Sequence, residues 1–450
     1  MNDRAATGHL QKRLGLPFAI AIMAGSVIGA GILRTPGVVA NEVPVFWIAM
    51  LLWALGGIYV LLSVNVASEL TTALPRAGGF YVPVREAFGD SMGLLAGWAM
   101  WAGYAAGAAA LALAFADFLA AAIPLVAANK AAVALVALLG VTLLNLPGVE
   151  QGRISSIGGL AIKLSLLAGV VIAAILVGPL PPQDAPSAPT YLTAPEAVVG
   201  WVALITGFQI VLGAYDGWQG PAFFAEEDKD PARNIPRAFF RAAVIVMVVY
   251  LAINLCVFTV LDLQTLRTSE LPVALVIEAL LGPAGSSVTG IAAAIMALFT
   301  LNAIIMVNSR ILFGLARDGL FVQAVAKVNR GGTPWVALII SAVVAVPMVL
   351  TGVYVFVFKI QIAVGMLAGV LYNAAYFMLR STQPELPRPF RAIGHPVLPA
   401  LVLAITFAVF VGFLVADPES ALWVLGLTGI CIPVGLHLRR ERSVAGRMAG

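Results

Sequence analysis

Two short stretches hold backbone that a membrane-crossing helix should not contain. The first, GSVIGAG at residues 25–31, has three glycines in seven positions; the second is GAYDGWQGP at residues 213–221. Each interrupts an apolar run. Glycine inside a helix costs about 1 kcal/mol relative to alanine, and peptide groups freed within a bilayer must face a cavity or other protein. Such a break has chemistry of its own. The N–H groups of Gly29, Ala30 and Gly31 open the outer half of the first helix and carry the positive end of its dipole, which suits a carboxylate. The carbonyls of Val27, Gly213, Ala214 and Asp216 are unwound acceptors that suit an ammonium group. A chamber with both poles fits the zwitterionic end of a free amino acid. Close helix packing through small residues is the alternative use of either glycine cluster alone.

Few side chains in the apolar runs can add to this. Lys163 lies nine residues from the inner end of its span, about 13 Å along a helix, too deep to snorkel easily. Inserting it costs about 2.5–3.5 kcal/mol, so something must face it. Tyr250 and Asn254 stand four apart, on one helix face, as a relay or as plain helix–helix hydrogen bonding. Ser26, Asn302 and Asn308 are candidates for lining a pathway. Asp216 begins the second half of its span, as a helix N-cap or as a contact for a substrate side chain. Lys359 reads as a snorkelling residue near the outer surface, and Asp117 and Glu69 as ordinary polar residues at span ends. Cys256 and Cys431 lie in apolar runs, and His9, His395 and His437 at termini or in a loop. No metal site, cofactor site or clustered nucleophile is expected, so the chain does not read as an enzyme.

The elements that must hold these groups are membrane helices. The chain is 61% hydrophobic and 11% charged, where a soluble domain carries about a quarter charged residues. Twelve spans are predicted, at about 16–40, 45–70, 92–123, 131–147, 154–178, 198–225, 237–261, 286–315, 335–352, 354–379, 397–416 and 420–438. Twenty Lys and Arg residues fall on the side of the N-terminus and only Lys130 and Arg267 opposite. Both termini are therefore expected in the cytoplasm. The net charge of +4 is spread over short loops and does not suggest nucleic acid. Two glycine-broken spans five helices apart point to a five-plus-five inverted repeat. The expected division is an N-terminal tail (1–15), a first repeat (16–178), a Pro-rich external loop (179–197), a second repeat (198–380), two added helices (381–438) and a C-terminal tail (439–450).

Five motifs are similar to those of the amino acid–polyamine–organocation superfamily. They are GSVIGAGI in span 1, PRAGGFYVPVREAFG (75–89), EEDKDPARNIPRA (226–238), SRILFGLARDGLF (309–321) and LRSTQPELPRPFRAIGHPVLP (379–399). The match runs in register from about residue 16 to 400. AYDGW (214–218) and the PELPRPFR stretch most resemble the L-amino acid transporter branch and its bacterial exchangers. The resemblance implies sodium-independent transport of L-amino acids across the plasma membrane, by exchange or proton coupling and by alternating access. It also implies that Lys163 occupies the place of a sodium ion and bonds carbonyls near Gly25–Ile28.

Two positions depart from the family pattern. Arg34 stands where an apolar or small residue is usual, and could draw an acidic side chain or pair with Glu42. Gly213 stands where a bulky aromatic often closes the site, which leaves Phe208, Tyr215 or Trp218 as the gate or points to a larger substrate. A polyamine carrier and a receptor that binds amino acids without moving them are the alternatives. No accessory subunit can be named from the residues.

Overall fold

Most of the described helices begin at a proline, a glycine or a polar break, and many end shortly before a glycine or a proline. The computed structural model of the chain describes residues 10–178, 199–351 and 354–416, with scattered positions from 418 to 433; the side chains of 354–364 are not among them. Over these residues the backbone is helix and turn, with one isolated β-bridge between Leu14 and Asp228.

The first span is in two pieces, α1 (Leu16–Val27) and α2 (Thr35–Glu42), joined by a 3₁₀ turn at Ala30–Leu33. There follow α3 (Phe46–Ala73), a short α4 (Tyr81–Phe88), α5 (Asp90–Ala120), the single turn α6 (Pro124–Ala127), α7 (Lys130–Asn145) and α8 (Val149–Val177). Beyond residue 199, α9 (Trp201–Ala214) stops at the second glycine cluster and α10 (Gly220–Phe223) resumes it for one turn. A 3₁₀ turn at Ala225–Glu227 leads into α11 (Pro231–Val260), then α12 (Leu263–Thr268), α13 (Pro272–Leu281) and α14 (Ala284–Arg317). The order closes with α15 (Trp335–Thr351), α16 (Tyr354–Thr382) and α17 (Val397–Ala416). Proline in the first turn of α1, α2, α10, α11 and α13 fits a position whose N–H has no helical partner anyway.

Six of the described helices, α3, α5, α8, α11, α14 and α17, are long and apolar enough to cross a membrane; α1, α7, α9, α13 and α15 are apolar but shorter. The most enclosed is α14, with 67% of its apolar window buried, and it packs chiefly against α5. Lipid is as apolar as these side chains, so close packing must hold the bundle. Glycines provide it: a Cβ at Gly97 would lie 2.5 Å from Leu315, and one at Gly159 would lie 2.5 Å from Phe299.

Several expectations are corrected. After the first break the α-helix resumes at Thr35 rather than near Gly31, because Ala30–Leu33 is wound as 3₁₀. The second half of span 6 is the four residues of α10, not a half-span. α11 starts at Pro231, six residues before the expected 237, because Pro236 is accommodated within the helix. The segment between α11 and α14, left between two expected spans, contains two further helices. Residues 10–15, within the expected N-terminal tail, pack on the bundle: Leu10 and Leu14 are buried, and Gln11 Nε2 donates to the Arg330 carbonyl at 3.2 Å. Most of the twelfth span, the loop 179–197, residues 1–9 and the tail 439–450 lie outside the described residues, as does the Lys359 side chain.

Candidate functional site

The ladder of α1 ends when the Ile28 N–H reaches Ala24 O and the Gly29 N–H turns back to Val27 O, both at 2.8 Å. Gly29 is extended (φ −111°, ψ −174°). The 3₁₀ turn that follows is closed by the Arg34 N–H at 3.0 Å and the Thr35 hydroxyl at 2.8 Å, both donating to Gly31 O. The Ala30 and Gly31 amides stand at the start of this turn, where helical geometry supplies no acceptor.

At the second break the Tyr215 N–H bonds Val211 O (3.1 Å) and the Asp216 N–H bonds Gly213 O (3.3 Å). Gly217 then enters the left-handed region at φ +98°. The two breaks touch through backbone. A Cβ on Gly217 would lie 3.2 Å from Ser26 carbonyl atoms, and one on Gly220 would lie 3.1 Å from Ile22 O. By contrast, a Cβ on Gly25, Gly31 or Gly213 would meet nothing within 4 Å.

Side chains from three other helices hold this junction. The fully buried Lys163 ammonium, on α8, donates to Gly25 O at 2.7 Å and to Thr300 Oγ1 at 2.6 Å. Thr300, on α14, also lies against the first break: a Cβ on Gly29 would be 3.4 Å from its hydroxyl. From α11, the Tyr250 hydroxyl lies 2.7 Å from Val27 O and 3.0 Å from Ala214 O, one carbonyl from each break. Tyr250 and Lys163 thus hold different carbonyls. Asn254 donates to Tyr250 O at 2.8 Å. Trp53, Tyr215 and Tyr250 form a cluster of tilted and edge-to-face rings with centroids 5.0–6.0 Å apart, and the Tyr215 hydroxyl donates to Trp53 O at 3.1 Å. Three buried polar atoms here have no partner among the described residues: Trp53 Nε1, Asn254 Oδ1 and Gln219 Oε1. Native structures seldom leave such atoms unmatched.

Other candidates lie elsewhere or are already engaged. Asn302 is bound by Asn145 at 2.8 Å and faces Ser156, in a separate knot of α7, α8 and α14. Asn308 faces Trp101 O and Ala105 N, at 3.0 and 3.3 Å. Ser26 bonds Ile22 O within its own helix at 2.6 Å. Trp218 packs between Phe80 and Phe239, and Phe208 is half-buried on α9. Asp216 is exposed and accepts from Gln219 Nε2 at 3.0 Å; it does not cap α10, whose cap position is Gln219. Arg34 pairs with Glu270 at 3.5 Å, not with Glu42, because α12 and α13 bring that carboxylate over the break. Asp117 pairs with Lys130 at 2.8 Å.

The end of the bundle rich in Lys and Arg is sealed by charge. Glu227 and Arg310, both almost fully buried, meet through two bonds of 2.9 and 3.2 Å, with Arg310 4.8 Å above the Phe224 ring. Burial pushes the Glu227 carboxyl up, against the pull of Arg310. Glu226 takes Arg317 (2.5 Å) and the Ala77 N–H (2.8 Å), and Asp318 takes Arg85 (2.9 Å) and the Tyr81 hydroxyl (3.0 Å). Glu69, far from a bland span end, is buried against Arg380 and Arg388 and accepts from the Ala392 N–H. Leu14 bridges across this end, bonding Glu227 O and the Lys229 N–H, each at 3.0 Å. Sequence reasoning missed Thr300, Trp53 and the Glu227–Arg310 pair. The signals were there but not singled out: Thr300 is one of several polar residues on α14, and Glu227 and Arg310 lie within the EEDKDPARNIPRA and SRILFGLARDGLF motifs.

A family model described as amino acid permease matches residues 14–433. The serine/threonine exchanger SteT of Bacillus subtilis is 26% identical over 439 residues, covering 96% of this chain and 98% of its own length. Human Asc-type amino acid transporter 1 is 29% identical over 416 residues, 90% of this chain and 77% of that protein. Mouse large neutral amino acids transporter small subunit 2 is 28% identical over 418 residues, 90% and 76% respectively. With helices of membrane length, a match over nearly its whole sequence and relatives that are carriers rather than enzymes, the chain belongs to the amino acid permease family.

Proposed function

We propose that this permease carries L-amino acids across the plasma membrane by alternating access, without sodium, by exchange or proton coupling. The observation that supports this most is the Tyr250 hydroxyl held between Val27 O and Ala214 O. It brings two interrupted helices to one point, where the amides of Ala30 and Gly31 offer a positive pole and the carbonyls of Gly213 and Ala214 a negative one; the expected Gly29 amide and Val27 carbonyl are instead bonded to each other at 2.8 Å. A carbonyl has two lone pairs: those of Val27 O are taken by the Tyr250 hydroxyl and the Gly29 N–H, so Ala214 O is the carbonyl that can accept an ammonium proton beside Tyr250. The substrate's side chain extends toward Gly213 and the exposed Asp216. Lys163 supplies at Gly25 the positive charge that a sodium ion would bring. With both termini cytoplasmic, the charged seal around Glu227 and Arg310 faces the cytoplasm, and its release is the inward-opening step.

The test is uptake by purified protein in sodium-free lipid vesicles. Labelled neutral L-amino acids should enter, faster into vesicles preloaded with unlabelled substrate if the carrier exchanges. An imposed sodium gradient should leave the rate unchanged; strict dependence on it would remove the role given to Lys163. Uptake of polyamines alone would favour an amine carrier, and binding without flux a receptor.

A further inference from the structure

The basic foot of α11 carries a row of cations that neither the seal nor the central site uses. Arg233, Arg237 and Arg241 are all exposed, and among the described residues none pairs with a carboxylate. Along the same helix Val244, Val248 and Leu255 are 44%, 56% and 47% exposed. At 3.6 residues per turn these six positions fall within an arc of about 80°. One helix face thus passes from three guanidinium groups into an apolar ridge, the order of a surface that crosses from headgroups into hydrocarbon.

A second element widens the row. Phe390 packs on Phe240 with ring centroids 6.1 Å apart, which brings the exposed Arg391 to the same side. Beyond it, Ile393 and Val397 are 64% and 70% exposed. Lys229 is exposed just before α11; of the acids near the row in sequence, Asp230 is half-buried and Glu385 is exposed. Guanidinium groups bind phosphate oxygens through paired N–H donors, and basic residues at a membrane surface favour anionic lipid.

We infer that this face binds the headgroups of anionic phospholipids in the leaflet at the basic end of the molecule, and so anchors α11. Tyr250 lies about 140° around the helix from the row. The helix therefore presents its cations to lipid and its hydroxyl to the two breaks. Holding its foot in the headgroup layer fixes the element to which both breaks are tied. This rests on the membrane placement and not on which amino acid is carried.

The experiment is native mass spectrometry of delipidated protein titrated with phosphatidylglycerol or phosphatidylcholine. Wild type should retain phosphatidylglycerol in preference. R233Q/R237Q/R241Q should bind it roughly fivefold more weakly per arginine removed, whereas the matching lysine variant should keep most of the binding. These side chains are exposed, and a monodisperse elution profile checks that the variants fold. Uptake in phosphatidylcholine vesicles should rise when phosphatidylglycerol is added for wild type and not for the glutamine variant. Equal lipid retention by wild type and the glutamine variant overturns the inference. Competition by millimolar glycerol 3-phosphate would overturn the assignment to lipid. Because retention is read without transport, its failure is separable from failure of the proposed function.

Discussion

Tyr250 does with one hydroxyl what neither glycine cluster can do alone. Its ring is fixed by Trp53 and Tyr215, so the oxygen has little freedom to leave Val27 O and Ala214 O. Tyr250→Phe keeps the ring and removes the tie. Losing a buried hydrogen bond costs about 1–3 kcal/mol, so thermal unfolding in detergent should shift down and vesicle uptake should fall about tenfold. An unchanged uptake rate would show that the hydroxyl is not needed to hold the breaks together. The residue scale also shows how far spacing reaches. Tyr250 and Asn254 were legible as one helix face. That the hydroxyl serves backbone carbonyls rather than Lys163 was not, because their positions depend on two other helices.

Each break is an element with one face packed and one face open. Gly217 and Gly220 are where the backbones meet, whereas Gly31 and Gly213 have room. Gly31→Val should therefore fold and insert, yet lose binding of carboxylate-bearing amino acids, read as loss of substrate-induced thermal stabilisation; retained stabilisation would place the carboxylate elsewhere. Gly213→Phe should likewise fold and narrow the range of transported amino acids toward small side chains, measured by competition against a labelled substrate. No narrowing would remove Gly213 from the pocket. Both breaks were legible because several glycines close together weaken a helix that otherwise has every reason to run unbroken through lipid. Their detailed winding was not legible: a 3₁₀ turn after the first and a single helical turn after the second are set by what packs on them, not by local propensity.

For the molecule as a whole, the contrast is between its two ends. The basic end is closed by buried Glu227–Arg310, by the Glu226–Arg317 and Asp318–Arg85 pairs and by Leu14, whereas the exposed pair Arg34–Glu270 lies above the first break. Exposed pairs contribute little, but removing one partner of a buried pair costs about 3–5 kcal/mol. Glu227→Gln should lower stability by about that amount. It should also raise labelling of a cysteine placed at Ser26 by an impermeant reagent from the basic side, in a background with Cys256 and Cys431 replaced by serine. Stability lost without increased labelling would make the pair a fold contact and not a gate.

The sequence by itself determined that this chain is helical, that it belongs in a membrane, where two helices are interrupted and that a lysine is buried among them. These follow from composition and local pattern, which act over one or two helical turns. Only the tertiary structure decided which groups meet: Lys163 with Gly25 and Thr300, Tyr250 with both breaks, Arg34 with Glu270 instead of Glu42, and Glu69 with two arginines more than 300 positions away. Such contacts join residues far apart in the chain. Their partners are selected by close packing between helices, where small residues let backbones approach and a buried polar group left without a match is costly.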